Sequence, residues 1–205
     1  MKIDPADLDW RKAHEVMVSA IVPRPICFVS TIGTDGVYNA APFSFFSGMS
    51  LRPTIVGFST GWKPELTKKD TLVNIEATKE YVINVVTEAM AEAMNQASQD
   101  YPRNVDEFKE TGLTPVSADL VKAPMIGESP VNMECRLVQV MEFGDENRRN
   151  SFIVGEVVRI HVADEIYIPD KHMIDVTKLK PLGRLGGELY CRVSDVFEMK
   201  RPEPL

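Results

Sequence analysis

The sequence predicts a mainly β protein with short helices, built as an antiparallel barrel or sandwich. Three observations support this prediction. Short apolar runs bounded by Pro, Gly or polar residues dominate the chain, and several of them read as hairpins. The helical patterns are brief, and they do not alternate with strands as they do in parallel βαβ folds.

The predicted strands follow one another in antiparallel pairs. Gly33-Thr34-Asp35-Gly36 offers two glycines that can adopt positive φ, so it predicts a turn between an apolar strand and its returning partner. The polar segment GDENRRN separates the arms of a second, longer hairpin. The predicted strands are residues 25–32, 37–46, 54–59, 81–86, 132–143, 151–163 and 189–199.

Three short helices are predicted between these strands. Asp70 is expected to cap the first helix, and residues 88–98 place apolar side chains at helical spacing. Asn104 with Glu107 three residues later resembles a capping box, and Gly112 is expected to end that third helix.

The composition restricts the class of protein. The chain has 205 residues, 44% hydrophobic and 26% charged, which is typical of a single globular domain spanning residues 1–205. A net charge of −7, from 23 basic and 30 acidic residues, argues against a duplex nucleic-acid binder. Acidic residues before position 20 argue against a secretory leader, and no apolar run approaches the ~20 residues of a membrane span. We therefore expect a cytoplasmic protein that binds neither nucleic acid nor membrane.

Cysteine and histidine usage indicates no metal site. Cys27, Cys135 and Cys191 lie far apart in apolar runs, so they are expected to be buried, reduced thiols. None of the three histidines lies near a second ligand at metal spacing, so a zinc site is not expected. Nucleophile-elbow, P-loop and dinucleotide-loop motifs are missing, although a Ser-His-Asp arrangement stays compatible with the sequence.

The segment NAAPFSFFSGMS, residues 39–50, combines apolar and uncharged hydrogen-bonding groups without a single charge. Pro42 cannot donate to a sheet ladder, so strand pairing is expected to stop there and release nearby backbone groups. Phenylalanine faces with amides and hydroxyls suit a planar apolar ligand that has a hydrogen-bonding rim. The alternative interpretation is a bulged barrel strand.

Two further segments carry isolated basic and hydroxyl groups. Lys68-Lys69-Asp70-Thr71 offers an anion the start of a helix, a hydroxyl and full positive charge, and its alternative is an ordinary capped helix with solvated lysines. Ser30 and Thr31 end the first strand and either face the same region or only close the strand. Arg184-Leu185-Gly186-Gly187 suggests a tight loop whose arginine stays in solvent or reaches an anionic ligand edge.

The motifs taken together resemble a known family. PRPICFVSTIGTDGVYNAAPFSFF, KDTLVNI, YVINVVT, GLTPV, ESPVNMECRL and PLGRLGGELY, in this order over about residues 15–195, are similar to the flavin reductase-like, FMN-binding split-barrel family. The branch they resemble most includes the reductase component, component B, of nitrilotriacetate monooxygenase. The resemblance implies a Greek-key split β-barrel, a homodimer with FMN at the interface, and reduction of flavin by NADH or NADPH for a separate monooxygenase.

The same resemblance assigns the flavin site residue by residue. It implies that Ser30, Thr31, Lys69 and Thr71 face the phosphate. It also implies that a second group lines the isoalloxazine ring, that Ser47 lies near the ribityl chain or phosphate, and that Arg184, Leu185 and Gly186 close over the flavin. The implied ring-lining residues are Asn39, Ala41, Pro42, Phe43 and Ser44.

Three functions fit a bound flavin. The first is an NAD(P)H:flavin oxidoreductase that feeds reduced FMN to a monooxygenase. The second is a protein that stores or senses FMN with little turnover. The third is a flavoenzyme acting on a specific small organic substrate. The flavin supplies the redox chemistry in each case, so no catalytic acid–base residue is assigned.

Overall fold

A computed structural model describes residues 1–202 and shows a β-barrel with short helices packed around it. Fourteen strands and five α-helices lie within these residues. The strands are β1 Arg24–Pro25, β2 Cys27–Ile32, β3 Tyr38–Phe43, β4 Phe46–Leu51, β5 Thr54–Gly61, β6 Glu80–Val85, β7 Pro115–Val116, β8 Met125–Ile126, β9 Val131–Gly144, β10 Arg149–Val162, β11 Tyr167–Ile168, β12 Met173–Ile174, β13 Leu182–Arg184 and β14 Tyr190–Arg192. The helices are α1 Trp10–Ala20, α2 Asp70–Thr78, α3 Ala91–Gln96, α4 Glu107–Thr111 and α5 Val176–Leu179.

Seven antiparallel strands form the main sheet, in the order β3-β2-β6-β9-β10-β5-β4. The sheet curls so that the end of β3 meets β5: the Phe43 and Phe58 rings are 5.2 Å apart, and the Ser59 N–H donates to the Phe45 carbonyl at 2.9 Å. Strands β3 and β4 are consecutive in the chain but lie at opposite ends of the strand order. The barrel is therefore split at the corner between β3 and β4. This Greek-key split barrel is the predicted fold class.

Alternation along β2 separates two hydrophobic clusters. Cys27 and Val29 point into the barrel, where Phe58, Tyr81 and other fully buried side chains fill the interior. Phe28, on the opposite face, packs in a second cluster under the segments around α3 and α4. The site described below lies where the barrel and these helices meet.

Several strand predictions are confirmed, and two are wrong. The hairpin through Gly36, at φ 84°, and the long hairpin of β9 and β10 are both present. The strand predicted at 37–46 instead ends at Phe43, because the chain turns the barrel corner before β4 begins. The strand predicted at 189–199 is limited to β14, because its partner β13 has only three residues to pair with it.

The helix predictions need similar corrections. The N-cap of α2 is Lys69 and not Asp70, whose carboxylate instead pairs with Lys63 at 2.8 Å and Arg103 at 3.1 Å. Residues 88–98 form a 3₁₀ turn followed by the short α3. Asp106 and not Asn104 caps α4, because its side chain accepts from the Phe108 N–H, while Gly112 ends α4 as predicted.

Helix α1 was not predicted. The Asp9 side chain accepts hydrogen bonds from two backbone N–H groups of its first turn, so a capping signal was present in the sequence. Only Val18 of α1 is buried, because the helix lies across the outside of the barrel. The expectation of one domain over residues 1–205 remains a proposal, and residues 203–205 lie outside the described chain.

Candidate functional site

Three neighbouring cavities share the end of β3 and the corner after it. The first has a volume of about 680 Å³, the second about 1110 Å³ and the third about 40 Å³. Pro42 and Phe43 line all three, and Ser44 lines the first two. The two larger volumes are of the size that small-molecule sites occupy in proteins. The uncharged segment singled out in the sequence is therefore the wall that the cavities have in common.

Pro42 was predicted to interrupt the pairing of its strand, and this prediction is wrong. The pairing of β2 with β3 continues through Phe28–Pro42 to Cys27–Phe43, so the proline does not interrupt it. Proline is tolerated because β3 is an edge strand, where a residue without an N–H costs no ladder bond on the open side. The free edge of β3, rather than a broken ladder, opens this segment to a ligand.

Asn39 organises the third cavity. Its side-chain oxygen accepts hydrogen bonds from Thr71 at 2.8 Å and Thr31 at 3.2 Å, and its amide donates to Glu107 at 2.8 Å. Asn39, Ala41, Lys69 and Thr71 all line this cavity. Thr31 is fully buried and reaches the cavity only through Asn39.

Ser30 does not join this group, so its predicted place at the phosphate is corrected. Successive strand residues point to opposite faces of a sheet, and Ser30 therefore faces away from Thr31. Its hydroxyl is completely buried, donates to the Pro124 carbonyl and accepts from Asn84 at 3.0 Å. The side chain joins the 124–126 segment to the sheet.

The lysines at the third cavity already have acidic partners. Lys69 lies 2.9 Å from Asp100, and Lys63 lies 2.8 Å from Asp70. Lys68, in contrast, turns toward Glu76 and Glu142, whose hydrogen bonds raise its pKa. Only one lysine of the Lys68-Lys69 pair thus faces the cavity, beside the start of α2, whose first N–H groups have no partner within the helix.

Glu107 is a buried carboxyl at the same place. It is 7% exposed, and its Oε2 has no hydrogen-bond partner among the described residues. Burial raises the pKa of Glu107 to about 7, against the opposing effect of the hydrogen bond from Asn39. From the sequence, Glu107 is predicted only to take part in a helix cap, and nothing in its local pattern indicates this burial.

Ser47 is not brought to the cavities. It is exposed on β4, and its hydroxyl donates to the Gly48 carbonyl at 3.0 Å. Strand β4 begins only after the barrel corner, which carries Ser47 away from the end of β3. The predicted contact of Ser47 with a ribityl chain or phosphate is therefore not supported by this chain alone.

The Arg184–Gly187 loop is positioned by α1 and a buried arginine. Arg184 lines the first cavity and lies 4.4 Å over the Tyr190 ring. The Leu185 carbonyl accepts from Arg24 at 2.9 Å, and Gly186 lies so close to Ser19 that a Cβ atom would be 2.5 Å from its hydroxyl. Leu185 and Gly186 thus fix the loop against α1, and Arg184 is the part of it that faces a cavity.

Aromatic and basic residues outside the predicted set line the second cavity. One face of α1 contributes Trp10, Ala13, His14 and Met17, spaced three and four residues apart. Trp62 and Arg148 line it as well, and the Arg148 guanidinium lies 3.9 Å from the centre of the Trp10 ring. The helical spacing on α1 was the available signal for these residues.

One group of potential metal ligands comes together in the described part of the chain. Donor atoms of Asp119, Glu134 and His161 lie within 4.8 Å of one another. The fully buried Glu134 carboxylate, however, accepts N–H groups from three successive residues beginning at Asp119, and Asp119 pairs with Arg159. These contacts make Glu134 an anchor for the 119–121 loop.

The thiol prediction holds at two of three positions. Cys27 and Cys135 are buried in the barrel, and burial raises the pKa of both thiols. Cys191 is only half-buried, because it lies on the short outer strand β14. Within residues 1–202, none of the helices has the length and apolar character that crossing a membrane requires.

This chain is similar in sequence and in structure to several known proteins. An uncharacterized protein of Halalkalibacterium halodurans is 36% identical over 98% of this chain and 97% of its own length. The structure of nitrilotriacetate monooxygenase component B from Bacillus cereus matches with a TM-score of 0.92 and 29% identity, covering 97% of this chain and 98% of that one. The 2-nitrobenzoate 2-nitroreductase NbaA of Pseudomonas fluorescens matches with a TM-score of 0.90 and 28% identity, covering 100% and 98%.

The family assignment rests on a longer stretch than any single motif. Residues 18–175 match the sequence profile described as "Flavin reductase like domain", which includes β1 to β12 and therefore the whole barrel and the shared wall of the three cavities. The chain belongs to the flavin reductase-like domain family.

Proposed function

We propose that this chain binds FMN at the Pro42–Ser44 wall and reduces it with NADH or NADPH, supplying reduced FMN to a separate monooxygenase. The observation that carries the proposal is that this uncharged wall borders all three cavities, while Lys63 and Lys69 line the second and third cavities but not the first. A molecule with a charged phosphate at one end and a planar ring at the other matches that arrangement. Bound FMN would supply the redox chemistry itself.

The phosphate end is assigned to the third cavity. Lys69 and the start of α2 offer it charge and unpaired N–H groups. The Thr71 hydroxyl donates to Asn39 and would have to turn from Asn39 to donate to the phosphate. A phosphate there has to compete with Asp100 for Lys69, so binding includes separation of that ion pair. The unpartnered Oε2 of Glu107 fits the same end, because a protonated carboxyl can donate a hydrogen bond.

The ring end is assigned to the wall itself. Phe43 offers an apolar surface, while Pro42 leaves the strand edge free of one N–H. Ser44 lies between the first and second cavities and provides a hydroxyl to the ring's edge. Residues around the ring need only hold it with one face open, because hydride transfer requires close stacking and no acid–base pair.

The identity of the electron acceptor separates the proposal from its nearest rival. The neighbouring structure of component B favours delivery of reduced flavin to a monooxygenase. The rival is direct reduction of a small organic molecule, as the name of the nitroreductase neighbour states for that protein. The second cavity favours this rival specifically, because Trp10, Trp62 and Arg148 would suit an aromatic anion.

The proposal includes a homodimer and a cytoplasmic location. Several large apolar side chains are exposed on the single chain, including Leu51 at 89%, Phe197 at 82% and Met199 at 80%. Exposed apolar surface supports an interface, and a twofold dimer is the commonest way to cover it. The second copy would also approach the exposed strand β4 and Ser47.

Steady-state oxidation of NADH and NADPH under air tests the function. The proposal predicts continuous turnover when free FMN is added and little turnover without it. Turnover that instead requires 2-nitrobenzoate or another aromatic acid, with FMN retained on the protein, supports the rival. Tightly bound flavin with no turnover under either condition would indicate a storage or sensing protein and contradict both.

A further inference from the structure

Arg24 is a buried cation whose recorded partners are all uncharged. It is 5% exposed, and its guanidinium donates to the carbonyls of Val18, Ile21 and Leu185 and to the Ser44 hydroxyl oxygen. Within residues 1–202 it forms no ion pair. Burial, followed by the nearby Arg184 charge, lowers the pKa of Arg24. An arginine stays protonated in proteins, so a full positive charge is held in the protein interior here.

Part of this arrangement is explained by the fold alone. Val18 and Ile21 lie at the end of α1, where carbonyl groups lack partners and the helix dipole favours a cation. The Leu185 contact fixes the Arg184–Gly187 loop. These three carbonyl contacts explain why the guanidinium is held at this position. They do not explain the fourth contact, with Ser44, which lies on the wall shared by the two large cavities.

The contact between Arg24 and Ser44 determines which of the two groups donates the hydrogen. Arg24 Nε donates to Ser44 Oγ at 3.3 Å, so Ser44 is an acceptor in this bond and keeps its own hydrogen. Ser44 is half-buried and lines both large cavities. Its hydroxyl is therefore available to donate into a cavity, and a guanidinium behind it strengthens it as a donor.

We propose that Arg24 is a positioning residue that turns Ser44 into a positively polarised donor, so that the site binds reduced flavin more tightly than oxidised flavin. The inference rests on the proposed function and names a residue to which that function gave no role. Two-electron reduction places negative charge near N1 and O2 of the flavin. A fixed donor backed by a buried cation stabilises that charge without reorganisation.

The measurement is the affinity of the apo-protein for oxidised FMN and, under anaerobic conditions, for dithionite-reduced FMN. The wild-type protein should prefer the reduced form. Ser44→Ala leaves the three carbonyl contacts of Arg24 in place, and we expect it to reduce that preference about tenfold while changing affinity for oxidised FMN less than threefold. For a two-electron couple, a tenfold change corresponds to a fall of about 30 mV in the potential of the bound flavin.

Substitutions at Arg24 separate charge from packing. Arg24→Gln should lower the preference for reduced FMN at least as much as Ser44→Ala, and Arg24→Lys should restore part of it because it retains the charge. Arg192→Gln is the matched control, because it removes a guanidinium that lines none of the three cavities. Loss of the preference in Arg192→Gln with an unchanged ratio in Ser44→Ala would overturn the assignment.

Failure of the inference is distinguishable from failure of the proposed function. Wild-type protein that binds neither form of FMN contradicts the proposed function. Wild-type protein that binds both forms, with the same ratio in Ser44→Ala, contradicts only the role of Arg24 and Ser44. If Arg24→Gln does not fold, the Ser44→Ala ratio alone decides the question.

Discussion

Lys69 and Lys68 are adjacent in the chain but have different partners, and this gives the phosphate assignment an internal control. Lys69 faces the third cavity and pairs with the exposed Asp100, whereas Lys68 pairs with Glu76 and Glu142. A ligand phosphate can replace Asp100 as the partner of Lys69. The phosphate cannot bind Lys68 unless the ion pairs of Lys68 with Glu76 and Glu142 are broken.

We predict that Lys69→Ala weakens FMN binding by about 10- to 150-fold, as expected for loss of a charge-assisted contact worth about 1.5–3 kcal/mol. Riboflavin, which has no phosphate, should bind to the variant and the wild type almost equally. Lys68→Ala should leave both affinities nearly unchanged. Equal losses for FMN and riboflavin in Lys69→Ala would contradict a phosphate contact.

The buried carboxyl of Glu107 makes stability depend on pH. Its pKa is raised to about 7 in the folded protein, mainly by burial. Between its unfolded pKa of about 4.3 and pH 7 the folded state holds more protons, so stability falls as pH rises through this window. Lys63, Lys69, Asp70, Asp100, Asp35 and Arg103 are the charged groups lining the cavities beside it.

Glu107→Gln removes this titration and keeps the shape of the side chain. We predict that it stabilises the protein by about 1–3 kcal/mol at pH 8, because no buried charge remains. The gain should almost vanish near pH 4, where Glu107 is mostly protonated in both states. Urea unfolding at the two pH values measures this, and an equal effect at both would show that ionisation of Glu107 is not the cause.

At the scale of elements, the barrel interior depends on a glycine in β10. A Cβ atom at Gly155 would collide with the hydroxyl of Tyr81, whose ring is fully buried against Phe58. Strand β10 shows a register shift next to Gly155, so the strand bends where Tyr81 needs space. Glycine is required here by close approach of a side chain and not by positive φ.

Gly155→Ala should therefore destabilise the protein by about 1–3 kcal/mol through overpacking. Gly48→Ala on β4 is the control, because a Cβ there meets no atom of the described chain within 4 Å. The difference between their urea midpoints checks the prediction. Similar small effects for both variants would mean that the Tyr81 ring can move aside.

The sequence was most informative where alternation and turns decide the structure. The Gly33–Gly36 turn, the long hairpin and the buried strands were predictable because their signals are local. Local patterns could not show that Ser30 and Thr31 face opposite hydrogen-bonding networks, or that Lys69 and not Asp70 occupies the N-cap position of α2. The burial of Arg24 and Glu107 depends on α1 and α4 packing over the sheet, which is a long-range result.

At the scale of the whole molecule, the exposed apolar residues support the proposed homodimer. Strand β4 is an edge strand, and its Leu51 is 89% exposed. An exposed apolar edge is ordinarily covered in a stable protein. The proposed second copy is the simplest cover, and a flavin held between two copies would link FMN binding to assembly.

Leu51→Lys should weaken that assembly, because a charge replaces an apolar side chain at the proposed contact. We predict a shift toward monomer in sedimentation velocity and a fall in FMN affinity that higher protein concentration reverses. Val116→Lys, a similar change on the separate strand β7, is the control. Wild-type protein that is monomeric and binds one FMN per chain would exclude a shared site.

A structure of the protein with bound FMN would show where the flavin lies, and the other proposals depend on that location. We predict electron density for the isoalloxazine ring against Phe43 and Ser44, with the phosphate beside Lys69 and Thr71. In that complex, Lys69 should have turned from Asp100 to the phosphate. A flavin bound elsewhere, with Pro42–Ser44 uncovered and the Lys69–Asp100 pair intact, would contradict the proposed flavin site.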